Sequence, residues 1–552
     1  MVGKPIPPKK VQKPDSTPKD AETYTLSSPP IVQGAASAAA GAVLQKKGED
    51  KSSGPPGTET PGGTMNRNKG TGRLVSLDAF RGFIMMMLAA SGFGISRFAE
   101  IDKSSDVWQV HNYELWQKIA FHFDHPAWRS AFDFYKVSFW DLIQPAFMFM
   151  VGVAMPFSYV RRSEQKQSIL RQALHAFIRA VALVLIGVFL QSGGREYTTW
   201  EFPNVLCQIG FGYFFAWCLL NTKPMVQGVA LAAILIGYWG LFYFNPPPAD
   251  YDYAGVSANA EDGQVFEGRF AAWSKNANAA FFFDRWLLPK LRTVPDEAPQ
   301  TPAVDAPVTA DAAVNSTADS AGDATAETAV VPESNPAETL AADAITEPAL
   351  PLPPARPSWI RRVFLRNNVP WKPNGGGYAT LSFIPSIGTT LLGMLCGQLV
   401  LVGGFSHWKK LGILIATAAI CLGLGILADI TVCPIVKRIW TPSWVLFSGG
   451  YVIGMLALFY LVFDIAPLRL LAFPLVVVGM NSILIYLLGS TVGGWVKTSV
   501  VSTHFAGLIE TVFGPKALDP NWYAPITMAT GTFVVFWLFL YWLHRQKIYL
   551  RL

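Results

Sequence analysis

Ten stretches of roughly twenty mainly apolar residues recur along the 552-residue chain: 77–96, 139–160, 173–191, 205–221, 225–244, 384–402, 411–428, 444–463, 468–489 and 523–543. A helix of that length matches the hydrocarbon thickness of a bilayer, and inside lipid every backbone N–H and C=O must find its partner within the protein. The pattern predicts an all-α fold, a polytopic transmembrane helical bundle of about ten spans. Composition agrees. Charged residues make up 15% of the chain, against about 25% in a typical soluble domain. The 18 Trp suit a protein anchored at two lipid–water interfaces.

Lysine and arginine in short loops orient such a bundle. With the N-terminus inside, Arg161, Arg162, Lys166, Arg171, Lys223, Lys409, Lys410, Arg469, Arg545, Lys547 and Arg551 fall in the cytoplasm. Arg195, Lys437 and Arg438 fall outside in short loops, so the bias favours N-in and C-in. Residues 493–513 are semi-polar and read as an interfacial or re-entrant segment. Residues 1–72 are rich in Pro, Lys, Ser, Gly and Thr and read as a disordered cytoplasmic tail. Residues 293–357, Ala/Pro/Thr-rich and acidic, read as a disordered extracytoplasmic linker. Two halves of about five spans each, 73–292 and 358–552, then make up the membrane domain. The net charge of +6 calls for no nucleic-acid partner. The five cysteines (Cys207, Cys218, Cys396, Cys421 and Cys433) form no CxxC pair or Cys/His cluster, so no disulfide framework or metal site is expected.

Polar residues inside such a chain carry the chemistry. Asp78 and Arg81 in SLDAFRG (76–82) lie three apart on one helical face. They form either an ion pair at a helix entry or direct substrate contacts. Asp141 and Gln144 in FWDLIQP (139–145) share a face just before Pro145 interrupts the helix hydrogen bonding. Asp141 reads as a functional carboxylate or as a cap near the helix start. In FHFDHPAW (121–128), His122 and His125 precede that span, and an imidazole that titrates near neutrality is the usual general base or acyl acceptor. Asn481 in VVVGMNSILIY (476–486) is an amide within an apolar helix, suited to an interhelical hydrogen bond.

Taken together, the ordered stretches resemble one family. They are SLDAFRG (76–82), DHPAW (124–128), FWDLIQPAFMFMVGVAMPFS (139–158), PNVLCQIGFGY (203–213), FIPSIGTTLLGMLCG (383–397), IWTPSWVLFSGG (439–450), VVVGMNSILIY (476–486) and YWLHRQKIYLRL (541–552). The set is similar to the membrane acyltransferases typified by heparan-alpha-glucosaminide N-acetyltransferase and their bacterial relatives. The resemblance covers residues 73–552 apart from the 293–357 insert. It implies transfer of an acetyl group from cytoplasmic acetyl-CoA to an amino sugar or glycan across the membrane, through an acetyl-histidine or directly. The family's active histidine stands in a His-x-x-Trp context, matched here by His125 with Trp128, while His122 has no counterpart. Ser91 stands where the animal enzyme has an Asn thirteen residues after the motif Asp, and a hydroxyl there could donate to the thioester carbonyl. Gly489 replaces a histidine of the animal enzyme, and Gly-rich sequence with Tyr378 replaces an acidic stretch.

The combined expectation is an acetyl-CoA-dependent N- or O-acetyltransferase of a bacterial inner membrane. His125, Asp141 and Ser91 would be catalytic, and Trp128, Arg81, Asp78, Asn481 and Gln144 would bind substrate. Acetyl-CoA is the co-substrate, and the partners are the bilayer, the extracytoplasmic sugar or glycan and a second copy in a homodimer. The alternative from another class is a transporter or flippase for a glycan or lipid, whose pathway the same polar residues would line; no convincing internal repeat supports it. A structural membrane subunit, its polar residues serving only to pack helices, is the weaker rival.

Overall fold

The apolar runs fold as helices because a helix alone satisfies its backbone within one segment, and short polar residues start them. Ser138, Ser168, Asn204, Ser406 and Thr441 each accept a hydrogen bond from a backbone N–H in the first turn of the helix that follows. A computed structural model describes residues 74–126, 128–129, 137–292, 364–365, 367, 369–466 and 468–550. The expected tail 1–72 and linker 293–357 lie outside the described residues. Among those described there is no strand. The principal helices are α1 (Val75–Ala89), α2 (Phe139–Glu164), α3 (Ile169–Gln191), α4 (Val205–Leu219), α5 (Pro224–Tyr243) and α6 (Ala279–Leu287). After the insert come α7 (Phe383–Leu401), α8 (His407–Thr431), α9 (Pro442–Tyr460), α10 (Arg469–Met480), α11 (Ser482–Trp495) and α12 (Ala524–Arg545).

Among the described residues, eight helices are long and apolar enough to cross a membrane, or nine if the bent pair at the start counts as one span. The architecture is the expected all-α polytopic bundle. The boundaries differ from the expected ten in three places. The run 205–221 gives the 15-residue α4, shorter than a full crossing. The run 468–489 is broken at Asn481, whose φ of −124° and ψ of 40° interrupt the helix between α10 and α11. Past that break, Ser482–His504 is long and apolar enough to span, so part of the expected interfacial segment continues a membrane helix.

The third difference lies in the first span. α1 and Ser91–Ala99 meet at 51°. Ser91, Gly92, Phe93 and Gly94 all have positive φ, between 45° and 69°, which makes a short left-handed turn. Packing holds it in place. A Cβ on Gly92 would lie 2.7 Å from the Phe123 ring, and one on Gly94 would lie 2.2 Å from the Pro525 carbonyl oxygen.

Glycines also let helices touch backbone to backbone. A Cβ on Gly82 of α1 would sit 1.8 Å from the Leu475 carbonyl oxygen of α10, and one on Gly152 of α2 would sit 2.0 Å from that of Thr390 of α7. In lipid, where helices gain little from hiding apolar surface, such close packing supplies much of the attraction. Both contacts join the two expected halves, and one core containing Phe80, Met148, Phe447 and Leu540 runs through both.

Trp273, from the segment between α5 and α7, packs into one layer with Tyr238 and Phe242 of α5, Trp128, and Val436 and Ile439 from the segment between α8 and α9. Buried in this layer, Asp284 of α6 accepts from the Thr380 N–H at 2.9 Å, while its other oxygen has no partner. Burial, helped by Glu201, pushes its carboxyl up to about 6. The protonated form thus fits the folded state better than the ionised one. Stability from this group is present below about pH 4 and is lost as pH rises through 6. Asp284→Asn keeps an oxygen for Thr380 without the charge. It should stabilise the protein by roughly 2–3 kcal/mol at pH 8 and by nothing near pH 4. Thermal unfolding in detergent at the two pH values measures it, and an equal effect at both would reject the charge as the cause.

Candidate active site

The Asp-His-Pro segment is fixed to the start of α2 by its backbone. Trp140 N–H donates to the His122 carbonyl at 3.0 Å, and the Ser138 hydroxyl donates to the Asp124 carbonyl at 2.6 Å. His122 is exposed and contributes this carbonyl. His125 turns inward. Its Nδ1 lies 2.8 Å from Oδ1 of Asp141, and the same oxygen accepts from Nζ of Lys437 at 3.0 Å. Nζ and Nδ1 stand 3.2 Å apart, which closes a triangle of imidazole, ammonium and carboxylate oxygen. Side-chain exposure is 3% for Asp141, 5% for Lys437 and 19% for His125. An ionised Asp141 and a protonated Lys437 offset each other's charge at this buried oxygen. When Nδ1–H donates to Asp141, Nε2 keeps its lone pair, the state a general base or acyl acceptor needs.

Lys437 arrives from the other half of the chain on a loop with several ties. Asp429 Oδ1 accepts from the Ile435 N–H at 2.7 Å, and its Oδ2 pairs with Arg129 at 2.8 Å. Arg438 donates to the carbonyls of Gly376 at 2.9 Å and Pro126 at 3.4 Å. The loop carrying the ammonium and the segment carrying the imidazole therefore hold each other at two further points, Arg438 on Pro126 and Arg129 on Asp429. Lys437, Arg438, Arg129 and Asp429 were not among the expected site residues.

Two cavities lie along α2. A small one, about 100 Å³, is lined by His125 and Lys437 with Gln144, Tyr378, Asn204 and Tyr486, and by the apolar Met85, Leu88, Ile143 and Phe147. A large one, about 980 Å³, opens at the opposite end of α2, among Arg81, Arg161, Arg162, Arg171 and Arg179, with Asp78, His175 and Tyr549. Arg179 donates to the Tyr213 hydroxyl at 3.2 Å, while its buried Nε has no hydrogen-bond partner.

The expected site residues divide accordingly. His125 and Gln144 line the small cavity, Asp141 meets His125 without lining it, and Asp78 and Arg81 line the large one. Ser91, Trp128 and Asn481 line neither. Ser91 is exposed at the left-handed turn, because the bend swings it off the α1 face that continues from Leu88. The Trp128 ring is buried, its Nε1–H donating to the Trp273 carbonyl at 2.9 Å, so it anchors the loop after His125. Asn481 donates to the Ile548 carbonyl at 3.2 Å and accepts from the Leu550 N–H at 2.8 Å. Its amide ties the segment 548–550 into the wall of the large cavity. No group of His, Cys, Asp and Glu among the described residues could hold a metal ion.

Compared with protein-family models and with curated proteins, the chain matches none.

Proposed function

We propose that this membrane protein is an acyltransferase that takes an acetyl group from cytoplasmic acetyl-CoA and passes it to an amino or hydroxyl group of a sugar on the other side. The observation that carries this reading is the opposition of the two cavities: an arginine-rich vestibule at one end of α2 and a buried His–Asp–Lys triangle at the other. Arginine forks suit the phosphates of coenzyme A. The orphaned Nε of Arg179 adds a buried donor there. From the vestibule the thioester arm reaches along α1 and α2 toward His125.

At the triangle, Asp141 holds Nδ1–H and leaves Nε2 to act. Nε2 takes the proton of the attacking amine as the new C–N bond forms, the C–S bond breaks, and the thiolate leaves to be protonated to free coenzyme A. In the two-step form, Nε2 itself attacks the thioester carbonyl, the C–S bond breaks and the thiolate leaves to be protonated to free coenzyme A. The amine then takes the acetyl group as the acetyl–Nε2 bond breaks, and its proton passes to the freed Nε2. The buried ammonium of Lys437 lies close enough to favour negative charge developing nearby.

The test uses purified full-length protein in detergent with radiolabelled acetyl-CoA, without and with a panel of amino sugars. Label on the protein or a sugar supports acyl transfer. No binding and no label with any acceptor overturns it and leaves the transport reading, for which sugar flux into vesicles without acetyl-CoA is the positive result.

A further inference from the structure

The left-handed turn that carries Ser91 away leaves a thioester carbonyl at His125 without the donor expected for it. Another side chain in the small cavity can supply one. Of the polar groups lining that cavity, His125 and Lys437 are engaged with Asp141. Asn204 accepts from the Leu206 N–H at 2.9 Å and donates to the Tyr486 hydroxyl at 3.3 Å. The Gln144 amide lines the same cavity and, among the described residues, makes no hydrogen bond. An amide in an enclosed wall costs stability unless water or a ligand bonds it.

Its place on α2 suits the reaction. Gln144 follows Asp141 by three residues on one helical face, about 4.5 Å along the axis at 1.5 Å per residue. Phe147 comes three residues later and borders both cavities, and Val151 and Ala154 continue the row into the vestibule. An acyl arm entering from the vestibule therefore passes Phe147 and meets Gln144 just before the imidazole held on Asp141. Lys437 stands at the Nδ1 edge of the ring, 3.2 Å from that nitrogen, whereas Nε2 is the atom that reacts.

We infer that Gln144 is a catalytic residue of acyl transfer: its side-chain N–H donates to the thioester carbonyl oxygen and stabilises the oxyanion that forms there. This rests on the acyl-transfer reading. As the amine or Nε2 bonds to the carbonyl carbon, the C=O π pair moves onto oxygen. When that pair returns, the C–S bond breaks and its electrons leave with the thiolate. Gln144 bonds the oxygen throughout and keeps its own proton.

The experiment binds a ketone analogue of acetyl-CoA, with CH2 in place of the thioester sulfur and 13C at the carbonyl, to the full-length protein in detergent. Infrared difference spectra read the carbonyl stretch. It should move to lower frequency in the wild type, and Gln144→Leu should lose most of that shift. With acetyl-CoA and the best amino sugar, Gln144→Leu should lower kcat by about 10²–10³-fold, the cost of removing one such donor. Its thermal unfolding should stay close to wild type, because no hydrogen bond within the protein is lost. Gln144→Met takes its place if the leucine variant does not fold. A stretch that is the same in the wild type and the variant, or an undiminished kcat, overturns the role of Gln144 and leaves acyl transfer intact. A wild-type protein that neither binds the analogue nor transfers acetyl instead overturns the acyl-transfer reading.

Discussion

His125→Ala should lower acetyl transfer by about 10²- to 10⁴-fold, the range expected when a positioned general base is removed. The fold should survive, because the imidazole is partly exposed and the chain around it is held by other groups. The Trp140–His122 and Ser138–Asp124 backbone ties, the Trp128 indole and the Arg129–Asp429 pair all remain in the variant. His122→Ala is the matched control, since that side chain is exposed and its carbonyl is unaffected by truncation. Transfer measured with labelled acetyl-CoA, alongside size-exclusion profiles in detergent, separates loss of chemistry from loss of protein. Equal activity in the wild type and the His125 variant would sink the assignment.

The second large effect concerns the charge pair beneath the imidazole. Asp141 has two side-chain partners, His125 and Lys437. Asp141→Asn strips the carboxylate from a buried ammonium, and breaking one side of such a pair costs about 3–5 kcal/mol. It also loosens the hydrogen bond that orients Nδ1, so activity should fall by about as much as in the His125 variant. Lys437→Met leaves the imidazole–carboxylate contact in place and should retain more activity than Asp141→Asn. Joining the two as Asp141→Asn with Lys437→Met removes both charges, and most of the lost stability should return while activity does not. Thermal unfolding in detergent closes the cycle. A double variant no more stable than the worse single would show that the two charges do not depend on each other.

The bundle was largely legible in the sequence because lipid imposes a simple rule of length and apolarity. The breaks were less so. SGFG at 91–94 carries two glycines, yet only the packing of Phe123 and Pro525 fixes it as a left-handed turn that carries Ser91 away. Asn481 reads as a polar residue within one helix, whereas in the fold its amide binds the backbone of 548–550 and the helix breaks there. The His125–Asp141 contact is short-range, sixteen positions apart across one helix start. Lys437 could not be paired with them, since 296 positions separate it from Asp141. One signal was present. Lys437 and Arg438 sit in a short loop on the side where basic residues are scarce, and a cation against the topological bias has another reason to be there.

Because the imidazole and carboxylate come from residues before the 293–357 insert and the ammonium from residues after it, neither half alone contains the centre. Separately made polypeptides would each be silent. Activity would appear only on their reunion through the glycine contacts of α1 with α10 and α2 with α7, so turnover itself becomes a reporter of correct assembly in the membrane.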